Sequence, residues 1–381
     1  MEEILHWWNE QSGFQQALGI TFLAMVLIQL LYDLTIFIRL SLWRDRLTPT
    51  RIPPISIVIC AKNEEKNLRD LVPLLMEQDH PDFELIIVDD SSWDDTLTTL
   101  NAYQVRYPKL HVVALNEDIQ RMRGKKFALT MGIKAAKNDI VLLTDADCIP
   151  DSKSWAQKMA LPFTNQDVEV VLGFSPYATH SGFLNKVIRF DTVQIAIQYL
   201  SYALVGAPYM GVGRNMAYRT ATFFDNSGFK NHMHLASGDD DLFISEVAKK
   251  KNTHVTLDPD TFVLSEPKST WQSWFHQKRR HFTTATEYKF GIKIILGLWP
   301  LSFMLMWVTA VLLAVLHSEL LIVGSLLTLR YIVHLATFRG SFVKTKQKDL
   351  TILMPVLEGA LWIINPALWL WNLLSKPRTW K

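Results

Sequence analysis

The chain of 381 residues has room for one large domain or two ordinary ones, and 49% of it is hydrophobic against 20% charged, with 13 Trp. That is too apolar for a wholly soluble protein, while a net charge of +2 without a basic tract offers nothing to a nucleic acid. The 2 cysteines, Cys60 and Cys148, fit no zinc spacing and read as small buried thiols in a reducing compartment.

In chain order, residues 1–47 read as a membrane anchor. Between Ala17 and Ile38 the only charge is Asp33, so a span over about 17–38 is expected. The acidic start lacks the basic region of a cleavable signal. Arg39, Arg44, Arg46 and Arg51 follow at once, and the positive-inside bias then places the next segment in the cytoplasm. Asp33 is expected to pack against other helices or face water.

After the Pro-containing linker 48–54, strands and helices alternate. Strands are expected at Ile55–Cys60, Phe83–Val88, His111–Leu115 and Ile140–Leu143, with helices at Asn63–Met76, Asp94–Tyr107 and Gly124–Ala136 between them. Alternation of this kind implies a parallel sheet with right-handed crossovers. Further on, Val168–Phe174 reads as a strand, and Phe183–Leu204 as an apolar helix at the membrane surface. Gly211–Arg219 reads as a Gly-rich turn into a strand, Asp239–Lys250 as a helix, and Thr253–Val263 as a last strand. The aromatic and cationic stretch 271–290 suits a membrane interface. The C-terminal membrane region, 291–381, holds apolar stretches at about 292–316, 320–338 and 350–374. Pro355, Glu358, Asn365 and Pro366 leave the last either a span or a re-entrant hairpin.

The chemistry gathers at expected strand ends, where open α/β sheets bind ligands. Ala61, Asn63 and Glu64 follow the first strand, Asp89 and Asp90 the second, and Asp145 and Asp147 the fourth; Asp239 and Asp240 open a later helix. Two carboxylates two residues apart repel unless a hard cation joins them, and such a cation is commonly shared with a substrate diphosphate. Singly, each loop also reads as a helix cap or a turn. Arg330 and His334, four apart in an apolar span, lie on one helical face and are expected to pack against Asp33 or reach the interface rather than bind a lipid phosphate.

Residues 54–282 resemble the catalytic domain of the family-2 inverting glycosyltransferases, which include cellulose and hyaluronan synthases and ceramide glucosyltransferases. The carrying segments are PPISIVICAKNEEKNL, LIIVDDSSWDDT, RGKKFALTMGIKAAKNDIVLLTDADCIP, GVGRNMAYR, SGDDDLFI and WFHQKRRHF. The resemblance implies an α/β, Rossmann-like GT-A domain over 48–270, flanked by transmembrane helices. It implies that Ala61, Asn63, Glu64, Asp89, Asp90, Lys125 and Asp145 bind a UDP-sugar. Asp147, with Asp145, would hold Mn²⁺ or Mg²⁺. Asp240 would be the general base beside Asp239, and Gln277 and Arg280 match a Gln-x-x-Arg-Trp motif, with Arg279 or Arg280 assisting the leaving group. His281 stands where that motif has Trp, which favours transfer to a lipid or lipid-linked acceptor over processive synthesis of a β-linked polysaccharide. An inactive membrane scaffold ranks below both, since Asp147 and Asp240 are present. The resemblance thus points to an integral protein of the plasma (inner) membrane that works on a UDP-sugar, a lipid or glycan acceptor and membrane lipids, with no nucleic acid.

Overall fold

The first apolar run forms one long helix, α1 (Gly13–Leu42), started by Ser12, whose hydroxyl accepts the Gln15 amide while the Gln15 side chain returns to the Ser12 amide. The computed structural model describes residues 12–45, 51–116, 124–235, 237–317 and 320–375. They divide into two compact units, one built from 12–42 and 289–341, the other from 43–288 and 342–375.

In the second unit the expected alternation appears: β1 (Ile55–Ala61), α2 (Glu65–Met76), β2 (Phe83–Asp89), α3 (Thr96–Arg106), β3 (Leu110–Ala114), α4 (Lys125–Ala135) and β4 (Ile140–Leu143). Strands β3, β2, β1 and β4 lie side by side and parallel. β1 is buried at nearly every position and β2 and β4 throughout, as expected of strands covered on both faces. Gly132 lets α4 lie close, since a Cβ there would stand 2.6 Å from a Val58 methyl and 2.9 Å from a Val88 methyl. This packing sets where the N-terminus of α4 falls over the sheet edge.

Beyond β4 come β5 (Cys148–Pro150), α5 (Trp155–Ala160), β6 (Val170–Leu172), α6 (Phe183–Leu204), β7 (Met216–Arg219), α7 (Thr220–Asp225), α8 (Asp241–Val247), β8 (Thr253–Val255), β9 (Val263–Ser265) and α9 (Trp271–His281). β7 joins β4 antiparallel and carries the sheet on through β6 to β8, so the sheet is mixed rather than wholly parallel. The single strand expected over 253–263 is two, divided by a 3-10 turn at Pro259–Thr261; β9 instead pairs with β5 in a second, two-stranded sheet. Nor does α6 lie at a surface. Most of it is buried, with Arg189 bonded to Gln347 (2.6 Å) and Asp349 (2.7 Å) and Phe190 stacked on Phe342.

The last helices are α10 (Phe290–Val315), α11 (Leu320–Lys344) and α12 (Met354–Leu374). Among the described residues α1, α10 and α11 are long and apolar enough to cross a membrane. Of the two alternatives for 350–374, the structure has one continuous helix, α12, rather than a hairpin; it is not among those three and packs on α6 and α9 within the second unit. In the first unit the polar side chains of the apolar helices find one another, as a medium without water demands. Asp33, in a π-helical turn of α1, meets His334 Nδ1 at 2.9 Å, and Gln29 joins Trp299 O, Ser302 and Arg330. The expected packing of His334 against Asp33 is therefore present.

Asn215 is fully buried and ties the second unit together. Its Oδ1 accepts the Trp155 indole N–H at 3.0 Å, and its Nδ2 donates to Phe174 O (2.6 Å) and Thr261 O (2.8 Å). Asn215→Ala strips the partners from three buried groups, each costing about 1–3 kcal/mol. A clear fall in the melting temperature of the purified protein is expected, where an exposed substitution such as Val105→Ala leaves it unchanged.

Candidate active site

The site lies along the edge where the parallel strands end. The loop after β1 interlocks with the loop after β2. Asn63, in the left-handed region (φ 56°), donates its amide to Ser92 Oγ at 2.9 Å and accepts the Trp93 amide on Oδ1 at 2.9 Å. The Glu64 amide donates to Thr96 Oγ1 (2.9 Å), while Ala61 O accepts the Asp90 amide (2.8 Å). Asp89 and Asp90 are both buried; Lys62 Nζ stands 3.9 Å from Asp90, and Asp89 Oδ2 accepts the Ser92 amide. The structure thus brings Ala61, Asn63, Glu64, Asp89 and Asp90 into one double loop.

A few ångströms of lysine side chain join the next two loops. Lys125, the first residue of α4, places its ammonium 2.9 Å from Asp145 Oδ1 and 2.9 Å from Asp239 Oδ2. Burial alone would lower the lysine's pKa, but the carboxylates around it hold it well above the ordinary value. Its neighbour Lys126, itself buried, donates to the carbonyls of His232 and Leu235 in the segment that leads to the acidic cluster.

The three aspartates that follow Gly238 have different surroundings. Burial would raise Asp239, but the Lys125 charge outweighs it and the net shift is downward. Asp241 accepts from Thr284 Oγ1, Tyr288 Oη (2.8 Å) and the Leu242 amide (2.8 Å), so its oxygens are taken up in structural bonds. Asp240, at the N-cap of α8, accepts the Gly213 amide on Oδ2 at 3.0 Å and the Asp241 amide on Oδ1 at 2.8 Å. Burial, then the charges of Asp239 and Asp241, push its pKa up to about 7, with Lys125 and the Gly213 amide pulling the other way. A carboxylate poised near neutrality is suited to accept a proton at neutral pH.

Asp145 is half-buried and Asp147 exposed. Ligand atoms of Asp145, Asp147 and Cys148 lie within 4.8 Å of one another. The two carboxylates fit a hard divalent cation that keeps positions for phosphate oxygens. Cys148 fits less well, because burial keeps its thiol protonated.

On α9, the motif residues diverge. Gln277 Nε2 donates to Tyr177 Oη at 3.2 Å. Arg279 instead turns onto α12, where it donates to Asn372 Oδ1 at 2.8 Å and lies 4.2 Å over the Trp371 ring. Lys278 pairs with Asp191 (2.5 Å) between the Trp274 and Phe282 rings, and the Arg280 carbonyl accepts the Thr283 amide past the helix end. Two residues that the sequence reading passed over also belong here: Arg214, from the quoted GVGRN segment, and Tyr177, which Arg214 and Gln277 both reach.

The raised pKa of Asp240 makes a thermodynamic prediction independent of turnover. In the unfolded chain this carboxyl ionises near 3.8, and in the folded protein near 7. Below about pH 4 it is protonated in both states; between about pH 4 and 7 only the folded state keeps the proton, so stability falls across that window relative to an uncharged side chain and levels off above it. The melting temperature of Asp240→Asn relative to the parent is therefore expected to rise from pH 4 to pH 8 in thermal scans, on top of a pH-independent cost for the acceptor that the amide gives up.

Residues 56–223 match the model of glycosyl transferase family 2, and residues 140–371 that of glycosyl transferase family group 2. The chain is 22% identical to a probable glycosyltransferase, YdaM, of Bacillus subtilis over 248 residues, 62% of this chain and 56% of that one. It is 24% identical to the poly-beta-1,6-N-acetyl-D-glucosamine synthase of Staphylococcus epidermidis over 221 residues, 58% of this chain and 49% of the synthase. The chain thus spans about half the length of the curated relatives it matches. Among solved structures, the mannosyltransferase PcManGT of Pyrobaculum calidifontis, in complex with GDP-Man and Mn²⁺, superposes with a TM-score of 0.57 at 17% identity. The match covers 92% of this chain and 97% of that one, which shows a shared fold. With well over half of its length matched by one family model, the chain belongs to glycosyl transferase family group 2.

Proposed function

We propose that this chain is a membrane-bound, inverting hexosyltransferase that moves a sugar from a UDP-sugar to a hydroxyl of a lipid or lipid-linked acceptor. The observation that carries the reading is the Lys125 bridge. It sets the Asp145–Asp147 turn, suited to a metal and a diphosphate, opposite the Asp239–Asp240 pair, which contains a carboxyl poised near neutrality. Asn63, Glu64, Asp89 and Asp90, in the double loop after β1 and β2, take the nucleoside. Residues 48–270 supply this chemistry, on the cytoplasmic side of the plasma (inner) membrane.

Asp145 and Asp147 would hold Mn²⁺ or Mg²⁺, which when bound neutralises charge growing on the departing diphosphate. Asp240 accepts the proton of the acceptor hydroxyl as its oxygen attacks the anomeric carbon, a contribution of about 10²–10⁴ in rate. One displacement inverts that carbon, so an α-linked donor gives a β-linked product. Asp239, held ionised by Lys125, is one of the charges that keep the Asp240 pKa high. Gln277, through Tyr177, and Arg280 belong to the end of the site formed by α9.

A lipid acceptor agrees with a chain that carries α1, α10 and α11 beside its transferase fold. The synthase relative favours the second reading, processive formation of a β-linked polysaccharide. Membranes containing the protein, supplied with labelled UDP-sugars and Mn²⁺ and then extracted with organic solvent, separate the two. We expect label in the organic phase, lost in Asp240→Asn membranes. Label in a large polymer would support the synthase reading, and no Asp240-dependent product with any donor would overturn both.

A further inference from the structure

Arg214 is a cation with no carboxylate partner among the described residues, and it stands beside the site. Its Nη1 donates to Tyr177 Oη and its Nη2 to Ser175 O, each at 3.1 Å, and its guanidinium lies 4.7 Å from the Tyr177 ring centroid. All of these partners are neutral. Its Nε is buried with no hydrogen-bond acceptor. A half-buried cation with one N–H shut off from water and no counter-charge is unfavourable unless an anion arrives.

The chain topology shows where that anion would be. Tyr177 bridges to Ser265, and Ser265 pairs with Cys148, the residue directly after Asp147. On the other side, Gly213, the residue before Arg214, donates its amide to Asp240. Arg214 therefore lies between the carboxylate turn suited to a metal and the carboxylate suited to a base. Gln277 shares the Tyr177 hydroxyl, so α9 helps hold the tyrosine to which this arginine is bonded.

We propose that Arg214 binds the diphosphate of the donor and stabilises it as it leaves. The inference rests on the UDP-sugar reading above. In that reaction the bond between the anomeric carbon and the diphosphate oxygen breaks, and its electron pair stays on that oxygen. The acceptor oxygen forms the new bond, and its proton goes to Asp240. Arg214 offers the Nη N–H groups not spent on Tyr177 and Ser175 to the oxygen that gains charge. A planar guanidinium suits this task better than an ammonium, because it presents several donors in one plane.

The test is equilibrium titration of the full-length protein in detergent with UDP and with uridine, both with Mn²⁺, for the parent and Arg214→Gln. Losing a hydrogen bond to a charged group predicts UDP binding about 10- to 100-fold weaker, with uridine binding unchanged. Equal shifts for UDP and uridine, or none, would overturn the proposal and leave Arg214 a structural residue. Unchanged UDP binding with a raised KM for a polyprenyl phosphate would also overturn it, by assigning the anion to the acceptor. A parent that does not prefer UDP to uridine would defeat the donor reading itself, and this inference with it. Should Arg214→Gln not fold, Arg214→Met keeps the aliphatic stem on the Tyr177 ring and serves in the same titration.

Discussion

Mutual repulsion among carboxylates is the constraint on which the rest of this structure depends. Two like charges about 4 Å apart at an effective dielectric near 20 repel by about 4 kcal/mol. Asp145, Asp239 and Asp240 tolerate proximity because the Lys125 ammonium stands between the first two, 2.9 Å from each. That ammonium is where it is because α4 lies close on β1 and β2, and α4 lies close because residue 132 has no side chain. Helix packing on a parallel sheet thus sets the spacing of charges far apart in sequence. Burial and the remaining repulsion from Asp239 and Asp241 together raise the pKa of Asp240 to about 7.

The same principle orders the apolar helices. Asp33, Gln29, Arg330 and His334 would each be expensive alone in a hydrocarbon medium, and each has a partner on another helix. Apolar packing surrounds this cluster: Phe37 sets its ring edge against Trp299 and Phe338. Polar pairing specifies which helix faces meet, in a setting where apolar contact alone specifies little.

Much of this was legible in the residues. Runs such as ISIVIC and LIIVD, bounded by polar turns, can be little other than buried strands, and the carboxylates at their ends fall where open sheets bind ligands. The Asp33–His334 pair was legible because a lone charge in an apolar span needs a counterpart. What failed was the reading of what covers an apolar surface. Phe183–Leu204 is apolar enough for a membrane surface, yet α6 is buried within the second unit. Hydropathy does not distinguish lipid from protein. The run 253–263 was misread because Pro259 forces a turn that lets β9 pair with β5. Arg214 escaped notice because its meaning lies in Tyr177 and Gln277, which only folding brings to it.

Division of labour between two carboxylate pairs, one for metal and donor and one for the acceptor's proton, is the centre of this account. The most direct measurement is Mn²⁺-dependent UDP-sugar binding, set beside turnover, in Asp147→Asn and Asp240→Asn. The account predicts that Asp147→Asn loses metal-dependent binding, whereas Asp240→Asn binds the donor like the parent and transfers nothing measurable. Turnover retained in Asp240→Asn, or donor binding lost equally in both variants, would contradict it.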